Sequence, residues 1–201
     1  METWNIGKYC IEYWEDEHIY LVDGLLLPSI TTILKKKFGN KYNNVSPEVL
    51  KKASEKGTNM HQAIQDYEEE NIDDLGCVEL QNYKFLKKHY GWKVVASEIP
   101  VVLEFEGRPV AVGRLDQVIQ IDDELGINDL KRTAIFDKEY VAYQTNLYRI
   151  AYQQTYGGRV TFISGTHLRD DKRKFYKLPV DEEKALELVK EYLKIKNENS
   201  K

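Results

Sequence analysis

Apolar and polar residues follow two different spacings along this chain, and the changes in spacing predict an α/β fold. Strands, with a spacing of two or a short apolar run, are predicted over 8–14, 18–22, 92–105, 109–121, 127–132, 159–167 and 175–178. Helical spacing predicts helices over 30–38, 46–70, 78–89, 138–156 and 182–196. One α/β domain over residues 1–201 accounts for this order of elements.

We expect three parts within that domain. Residues 1–45 hold an N-terminal hairpin and helix, 46–180 form the core, and 181–201 form a C-terminal helix and tail. The second helix begins at Ser46-Pro47, and Gly57-Thr58 is predicted to interrupt or bend it.

The acidic end of that helix, residues 66–70, is predicted to be a solvated helix end. At 42% hydrophobic and 31% charged residues, the composition is that of a globular protein. No apolar run approaches the ~18 residues of a membrane span, and residues 1–17 lack the shape of a signal peptide, so we expect a cytoplasmic protein and no membrane partner.

The two cysteines, Cys10 and Cys77, are too few for a disulfide framework or an iron–sulfur cluster, and we expect free buried thiols. A net charge of −4 argues against binding of nucleic acid by bulk electrostatics. This net charge does not exclude a nuclease, because bound metal ions offset acidic side chains and local basic patches can bind along a nucleic-acid backbone.

The segment 113–133 carries the clearest candidate chemistry. Two apolar-alternating runs flank the acidic turn 122–124, which is typical of a β-hairpin. Residues two apart share a strand face, so Asp129 and Lys131 are expected to point the same way, with Asp116 approaching from the paired strand. Clustered carboxylates repel unless a cation lies between them, and Mg²⁺ or Mn²⁺ prefers such oxygen ligands.

Each of these residues also has a purely structural interpretation. An Asp-x-Lys triplet is common on exposed strands, and a single histidine in a helix, such as His61, is usually structural. Glu98 interrupts an apolar strand and is equally consistent with an outward-facing residue and with a role in a site. Support for a site around Asp129 therefore depends on the segments that precede and follow it in the chain.

Four segments resemble, in order, the motifs of RecB-like nucleases in the PD-(D/E)XK superfamily. They are 57–61 (GTNMH), which resembles G-T-x-x-H, 113–116 (GRLD), which resembles G-x-x-D, 129–133 (DLKRT), which resembles D-x-K-T, and 144–148 (QTNLY), which resembles Q-x-x-x-Y. Asp129 stands where glutamate is commoner, and Thr133 is displaced by one residue. The resemblance implies a restriction-endonuclease-like core, in which helices flank a central mixed sheet.

The resemblance also implies a metal centre. Asp116 and Asp129 would bind Mg²⁺ or Mn²⁺ with the backbone carbonyl of Leu130, His61 would complete the shell, and Glu98 would be a further ligand, directly or through water. The two cysteines imply that no iron–sulfur cluster is held.

The remaining catalytic roles come from the same resemblance. Lys131 would orient or deprotonate the attacking water and offset the charge of a phosphate. Gln144 and Tyr148 would hold the DNA backbone or the helix of the active site.

The function implied is a metal-dependent DNA exonuclease in recombination, repair or phage DNA processing. Its substrate would be linear ends or single-stranded DNA, with a recombination protein as a further partner. The segment 22–36 (VDGLLLPSITTILKK) resembles the lead-in of phage-type exonucleases, which places the protein in a bacterial or phage-infected cytoplasm. An endonuclease of the same fold and a non-catalytic nucleic-acid-binding protein are the alternatives, and strand preference, polarity and oligomeric state stay open.

Overall fold

The computed structural model describes residues 1–14, 19–39 and 45–198. In chain order its elements are β1 (Glu2–Ile6), β2 (Tyr9–Trp14), β3 (Ile19–Val22), β4 (Leu25–Leu27), α1 (Ile30–Phe38), α2 (Pro47–Glu70), α3 (Val78–Tyr90), β5 (Lys93–Phe105), β6 (Arg108–Ile121), β7 (Glu124–Lys131), α4 (Lys138–Tyr156), β8 (Phe162–Arg169), β9 (Lys172–Leu178) and α5 (Glu182–Glu198). Among these described residues, no helix is long and apolar enough to cross a membrane.

The central sheet is mixed and has helices on both faces, as the sequence predicts. Its strand order is β5-β6-β7-β8-β9, with β7 and β8 parallel and the other neighbours antiparallel. Helix α4 makes the crossover between the two parallel strands. Helices α1, α4 and α5 pack on one face, and α2 and α3 pack on the other. The two layers of helices bury the sheet on both sides, which fits the long apolar runs of its strands.

A small antiparallel sheet, β1-β2-β3-β4, covers one end of the long hairpin β5–β6. Ile11 and Val22 pack there against Val102 and Val112. Strands β1 and β4 were missing from the prediction. The residues of β1 are mostly exposed and show no clear alternation, and β4 is only three residues long. The turn predicted at 15–17 and most of the loop predicted at 39–45 lie outside the described residues.

Helix α2 runs without a break through Gly57 and Thr58, so the predicted interruption is wrong. A glycine inside a helix costs about 1 kcal/mol relative to alanine. That cost is offset by the burial of Met60 and Ile64 one turn and two turns later. Glu68 is not part of a solvated end, since its side chain is 8% exposed and pairs with Lys87 of α3.

Further differences concern strand boundaries and burial. Strand β8 begins at Phe162 instead of residue 159, because Val160 is already bonded to side chains of α4: Arg149 Nε donates to its carbonyl and Gln153 Oε1 accepts from its amide. Strand β9 begins at residue 172 instead of 175; its first residues are charged and carry no apolar alternation, so the pattern did not show them as strand. Strand β7 covers Glu124–Lys131 instead of 127–132, so Glu124 belongs to the strand and not to the turn. Cys10 and Cys77 are free thiols, half-buried instead of buried.

Candidate metal centre

The predicted hairpin exists and forms the middle of the sheet. Strands β6 and β7 pair across the acidic turn as far as Gln117 opposite Asn128. Beyond that pair the amide of Leu130 donates to Asp116 Oδ2 over 2.6 Å. Leu130 itself is buried toward α2 and α3. The carboxyl group of Asp116 is therefore fixed against the backbone of the neighbouring strand.

Polar side chains buried beneath the site hold the strands in register. Asn128 donates through Nδ2 to Gln117 Oε1 at 3.0 Å and accepts at Oδ1 from the hydroxyls of Ser164 and Thr166. Gln117 in turn donates to the hydroxyl of Tyr83 in α3 at 2.9 Å. A fully bonded network of this kind specifies one register among three strands and one helix. The sequence did not predict this network, because its strand members lie in apolar runs and its helix member, Tyr83, is distant from them in the chain.

Glu98 lies on the third strand that enters the site. It falls between the ladder pairs Ser97–Gln117 and Ile99–Leu115, level with Asp116. Its φ is +48°, in the left-handed region that a non-glycine residue rarely adopts. Backbone strain of this kind is held in place by the surroundings and is concentrated at functional sites.

The carboxylate of Glu98 bridges two cationic partners. Oε1 lies 3.2 Å from His61 Nδ1, and Oε2 accepts from Arg114 Nε at 3.1 Å. Arg114 also pairs with Glu2 of β1 at 3.7 Å, which ties the small sheet to the site. Arg114 was not among the predicted site residues, although it lies two residues before Asp116 and so shares its strand face.

His61 projects from the middle of α2 into the same group. Its Nε2 lies 3.2 Å from the carbonyl oxygen of Leu130, and its Nδ1 lies 3.9 Å from Asp116 Oδ1. Burial disfavours the charged ring, but Asp116 and Glu98 outweigh burial and raise the pKa of His61 to about 9. Without a metal ion the ring is therefore an imidazolium that bridges oxygen atoms.

Asp129 and Lys131 form a buried ion pair next to this group. Lys131 Nζ donates to Asp129 Oδ1 at 2.7 Å. Asp129 is 1% exposed, and its Oδ2 has no hydrogen-bond partner among the described residues. Burial, with the negative charge of Asp116, raises the pKa of Asp129 to about 6 despite Lys131. A buried carboxylate oxygen without a partner costs free energy unless a proton or a cation binds it.

These residues fit a divalent cation. One ligand atom from each of His61, Glu98 and Asp116 lies within 4.8 Å of the other two. The carbonyl oxygen of Leu130 lies 3.2 Å from His61 Nε2. Asp129 is not part of this group of three, and its partnerless Oδ2 belongs to the neighbouring ion pair with Lys131. Carboxylate and carbonyl oxygens with one imidazole are a donor set for Mg²⁺ or Mn²⁺.

Tyr148 and Gln144 of α4 lie behind the carboxylates, on the other side of the sheet from His61. Burial, with the nearby charge of Asp116, raises the pKa of Tyr148 well above its usual value, so the phenol stays protonated. Gln144 is buried, and its Oε1 has no partner in the described part of the chain. Tyr148 is thus close enough to Asp116 to feel its charge, and Gln144 lies one turn before Tyr148 on the same helix.

Two cavities open beside Lys131. The larger has a volume of about 750 Å³ and is lined by residues that include His61, Glu98 and Arg114. The smaller, about 300 Å³, is lined by residues that include Gln144, and Lys131 and Thr133 line both. Lys131 therefore stands at the junction of two recesses, with space for an extended ligand on either side.

Neither a scan against protein-family models nor a search of curated proteins finds a match for this chain. Among solved structures, a crystal structure of SSO0001 is similar at 16% sequence identity, covering 82% of this chain and 85% of that chain with a TM-score of 0.40. A functional conclusion therefore has to come from the residues of the site.

Proposed function

We propose that the protein is a divalent-metal-dependent DNA exonuclease with a restriction-endonuclease-like core of the PD-(D/E)XK type. One observation carries the proposal. Glu98, Asp116 and Asp129 are carboxylates at the same level of three adjacent strands. The first two lie beside His61 of α2, and the third pairs with Lys131 at the end of β7. Three of the four sequence motifs supply His61, Asp116, Asp129 and Lys131, the fourth lies on the helix behind them, and Glu98 joins the cluster from outside the motifs.

Asp116, Glu98 and His61 would hold Mg²⁺ or Mn²⁺, with Leu130 through its carbonyl oxygen and Asp129 through the oxygen that lacks a partner. Such an ion supplies Lewis-acid polarisation of a phosphodiester and acidifies water. The pairing of Asp116 with the amide of Leu130 leaves its other oxygen available to the ion. The protein's part is to hold these oxygens in place before substrate arrives.

Lys131 contributes a fixed positive charge. Burial works against the ammonium, but Asp129 and Asp116 outweigh it and raise the pKa of Lys131, which therefore stays protonated at neutral pH in the metal-free protein. Its position at the junction of the two cavities suits a group that offsets the charge of a phosphate. Arg114, on the other side of Glu98, offers a second cation along the larger cavity.

A digestion assay tests the proposal. End-labelled linear DNA, single- and double-stranded, is incubated beside a closed circle with Mg²⁺, with Mn²⁺ and with EDTA. We expect metal-dependent loss of the linear substrates alone, abolished by Asp129→Ala and by Lys131→Ala and retained by Lys190→Ala, a charge change on exposed α5.

The other outcomes are equally informative. Cutting of the closed circle would replace the exonuclease by an endonuclease of the same fold. Absence of cleavage by the folded protein in every metal would contradict the proposal and leave a nucleic-acid-binding role. A recombination protein as partner rests on the same proposal and is tested by co-purification after the activity is established.

A further inference from the structure

A second surface with nucleic-acid chemistry lies outside the site, on the outer face of α3 beside the edge strand β9. Phe85 is 49% exposed and Tyr90 is 41% exposed, although both are large aromatic residues. The ring of His89 lies parallel to that of Phe85, with centroids 6.1 Å apart and an interplanar angle of 5°. These exposed rings are therefore held in place by neighbouring side chains.

Positive charge accompanies these rings. The guanidinium carbon of Arg173, on β9, lies 3.8 Å from the centroid of Phe85. Lys88 is exposed on the same helix, and α3 contains no acidic residue after Glu79. The local charge is therefore positive on a chain whose net charge is −4. Positive side chains on an edge strand discourage sheet-to-sheet pairing, but that role does not call for exposed aromatic rings beside them.

This α3–β9 surface (Phe85, Lys88, His89, Tyr90 and Arg173) is linked to the candidate metal centre through the first turn of α3. Glu79, in the first turn of α3, pairs with Arg132, which follows Lys131 directly. From Glu79 to Tyr90 the helix advances about 16 Å at 1.5 Å per residue. A strand leaving the site along α3 would therefore pass Phe85 and then Tyr90.

We propose that the α3–β9 surface binds single-stranded DNA next to the cleavage site, an inference that rests on the proposed nuclease function. Aromatic faces stack on unpaired bases of any sequence, and adjacent cations pair with the phosphates. Phe85 is the stacking platform, held in place by Arg173 and His89. Arg173 and Lys88 follow the backbone, and Tyr90 extends the platform away from the site.

Fluorescence anisotropy of labelled dT20 in EDTA tests the surface without cleavage. We expect Phe85→Ala to weaken binding roughly tenfold, the order of magnitude of one lost base–aromatic contact. Arg173→Ala is expected to weaken binding and to reduce the slope of log K against log salt by about 1. Arg173→Lys keeps the charge and is expected to keep that slope while losing affinity.

Lys190→Ala removes one exposed cation from α5, in the opposite layer of helices, and is the matched control; we expect it to bind dT20 like the wild type. Wild-type affinity of Phe85→Ala and Arg173→Ala, or no binding of dT20 by the wild type, would overturn the proposal. So would self-association of the wild type that Phe85→Ala abolishes, because the surface would then be a protein interface. Digestion assays report the nuclease separately, so either proposal can fail alone.

Discussion

Gly113 packs against the ring of Tyr148 so closely that a β-carbon on residue 113 would lie 2.7 Å from Tyr148 Cε1. The two residues belong to different motifs, one on β6 and one on α4. The contact explains why residue 113, three positions before Asp116, is a glycine: any side chain there would overlap the ring of Tyr148, which lies behind the carboxylates. It links the position of α4 to the geometry of the site.

Gly113→Ala should therefore disturb both stability and activity. The added methyl meets a buried ring, and overpacking of this kind typically costs about 1–3 kcal/mol in the free energy of unfolding. Urea unfolding with Gly57→Ala as the matched control checks this. Residue 57 lies inside α2, where a β-carbon would meet nothing within 4 Å, so alanine there is expected to stabilise by up to about 1 kcal/mol. Equal responses of the two variants would contradict the account.

Metal binding should strengthen as pH rises. The folded-state pKa of His61 is raised to about 9 from 6.5, and that of Asp129 to about 6 from 3.8. Both groups thus stabilise the metal-free fold when protonated, and that contribution is lost as pH rises through each folded pKa. A cation has to displace these protons. The rise in Tm caused by Mn²⁺ should therefore be small near the folded pKa of Asp129 and grow toward that of His61.

His61→Ala serves as the control for that titration. In this variant the Mn²⁺-induced rise in Tm should no longer change with pH near the pKa of His61, about 9. It should still change with pH near the pKa of Asp129, about 6. A Mn²⁺ effect on Tm that is independent of pH in the wild type would show that neither group faces the ion.

Glu98 should affect both the affinity for Mn²⁺ and the stability of the fold, and two substitutions separate these effects. Glu98→Gln and Glu98→Asn both remove a charged ligand, and we expect each to lower the affinity for Mn²⁺ by about tenfold or more. In EDTA their stabilities should differ, because asparagine tolerates the positive φ of residue 98 better than glutamine, by about 1 kcal/mol. Calorimetric titration and urea unfolding measure the two effects, and unchanged Mn²⁺ affinity in both variants would remove Glu98 from the site.

Glu68 should contribute far more to stability than its neighbour Glu69. Its Oε1 accepts from the hydroxyl of Tyr83 at 2.9 Å, and Lys87 Nζ donates to both of its oxygens. Glu68→Ala leaves these donors without an acceptor, and we expect a loss of about 1–3 kcal/mol in urea unfolding. Glu69→Ala, at an exposed position bonded to Gln65, should stay within about 0.5 kcal/mol of the wild type. A similar loss in both variants would mean that α2 and α3 are not joined through Glu68.

The sequence predicted the helices and the hairpin well because their signals are local. Helix α4 was predicted over its observed span, because apolar residues recur along it and glycine ends it; in the structure the side chain of Asp137 caps its first turn. The alternation around Asp116 and Asp129 likewise predicted that the two strands pair. Strand β1, without alternation, left no local signal.

The relationships that assemble the site are long-range, and local patterns do not specify them. Glu98 lies opposite Asp116 because the register of β5 with β6 shifts between Val94 and Ala96. The hydrogen-bonded chain from Tyr83 through Gln117 to Asn128 joins elements up to 45 residues apart, counted from 83 to 128. Such pairings follow from the folded register and become visible once the strands are aligned.

Calorimetric titration of the metal-free protein with Mn²⁺ tests the central claim most directly. The account predicts a saturable site that weakens by more than about a hundredfold in Asp116→Asn, while Lys190→Ala binds like the wild type. A flat titration of the folded wild type, or a site that survives Asp116→Asn unchanged, would contradict a metal centre built on these carboxylates.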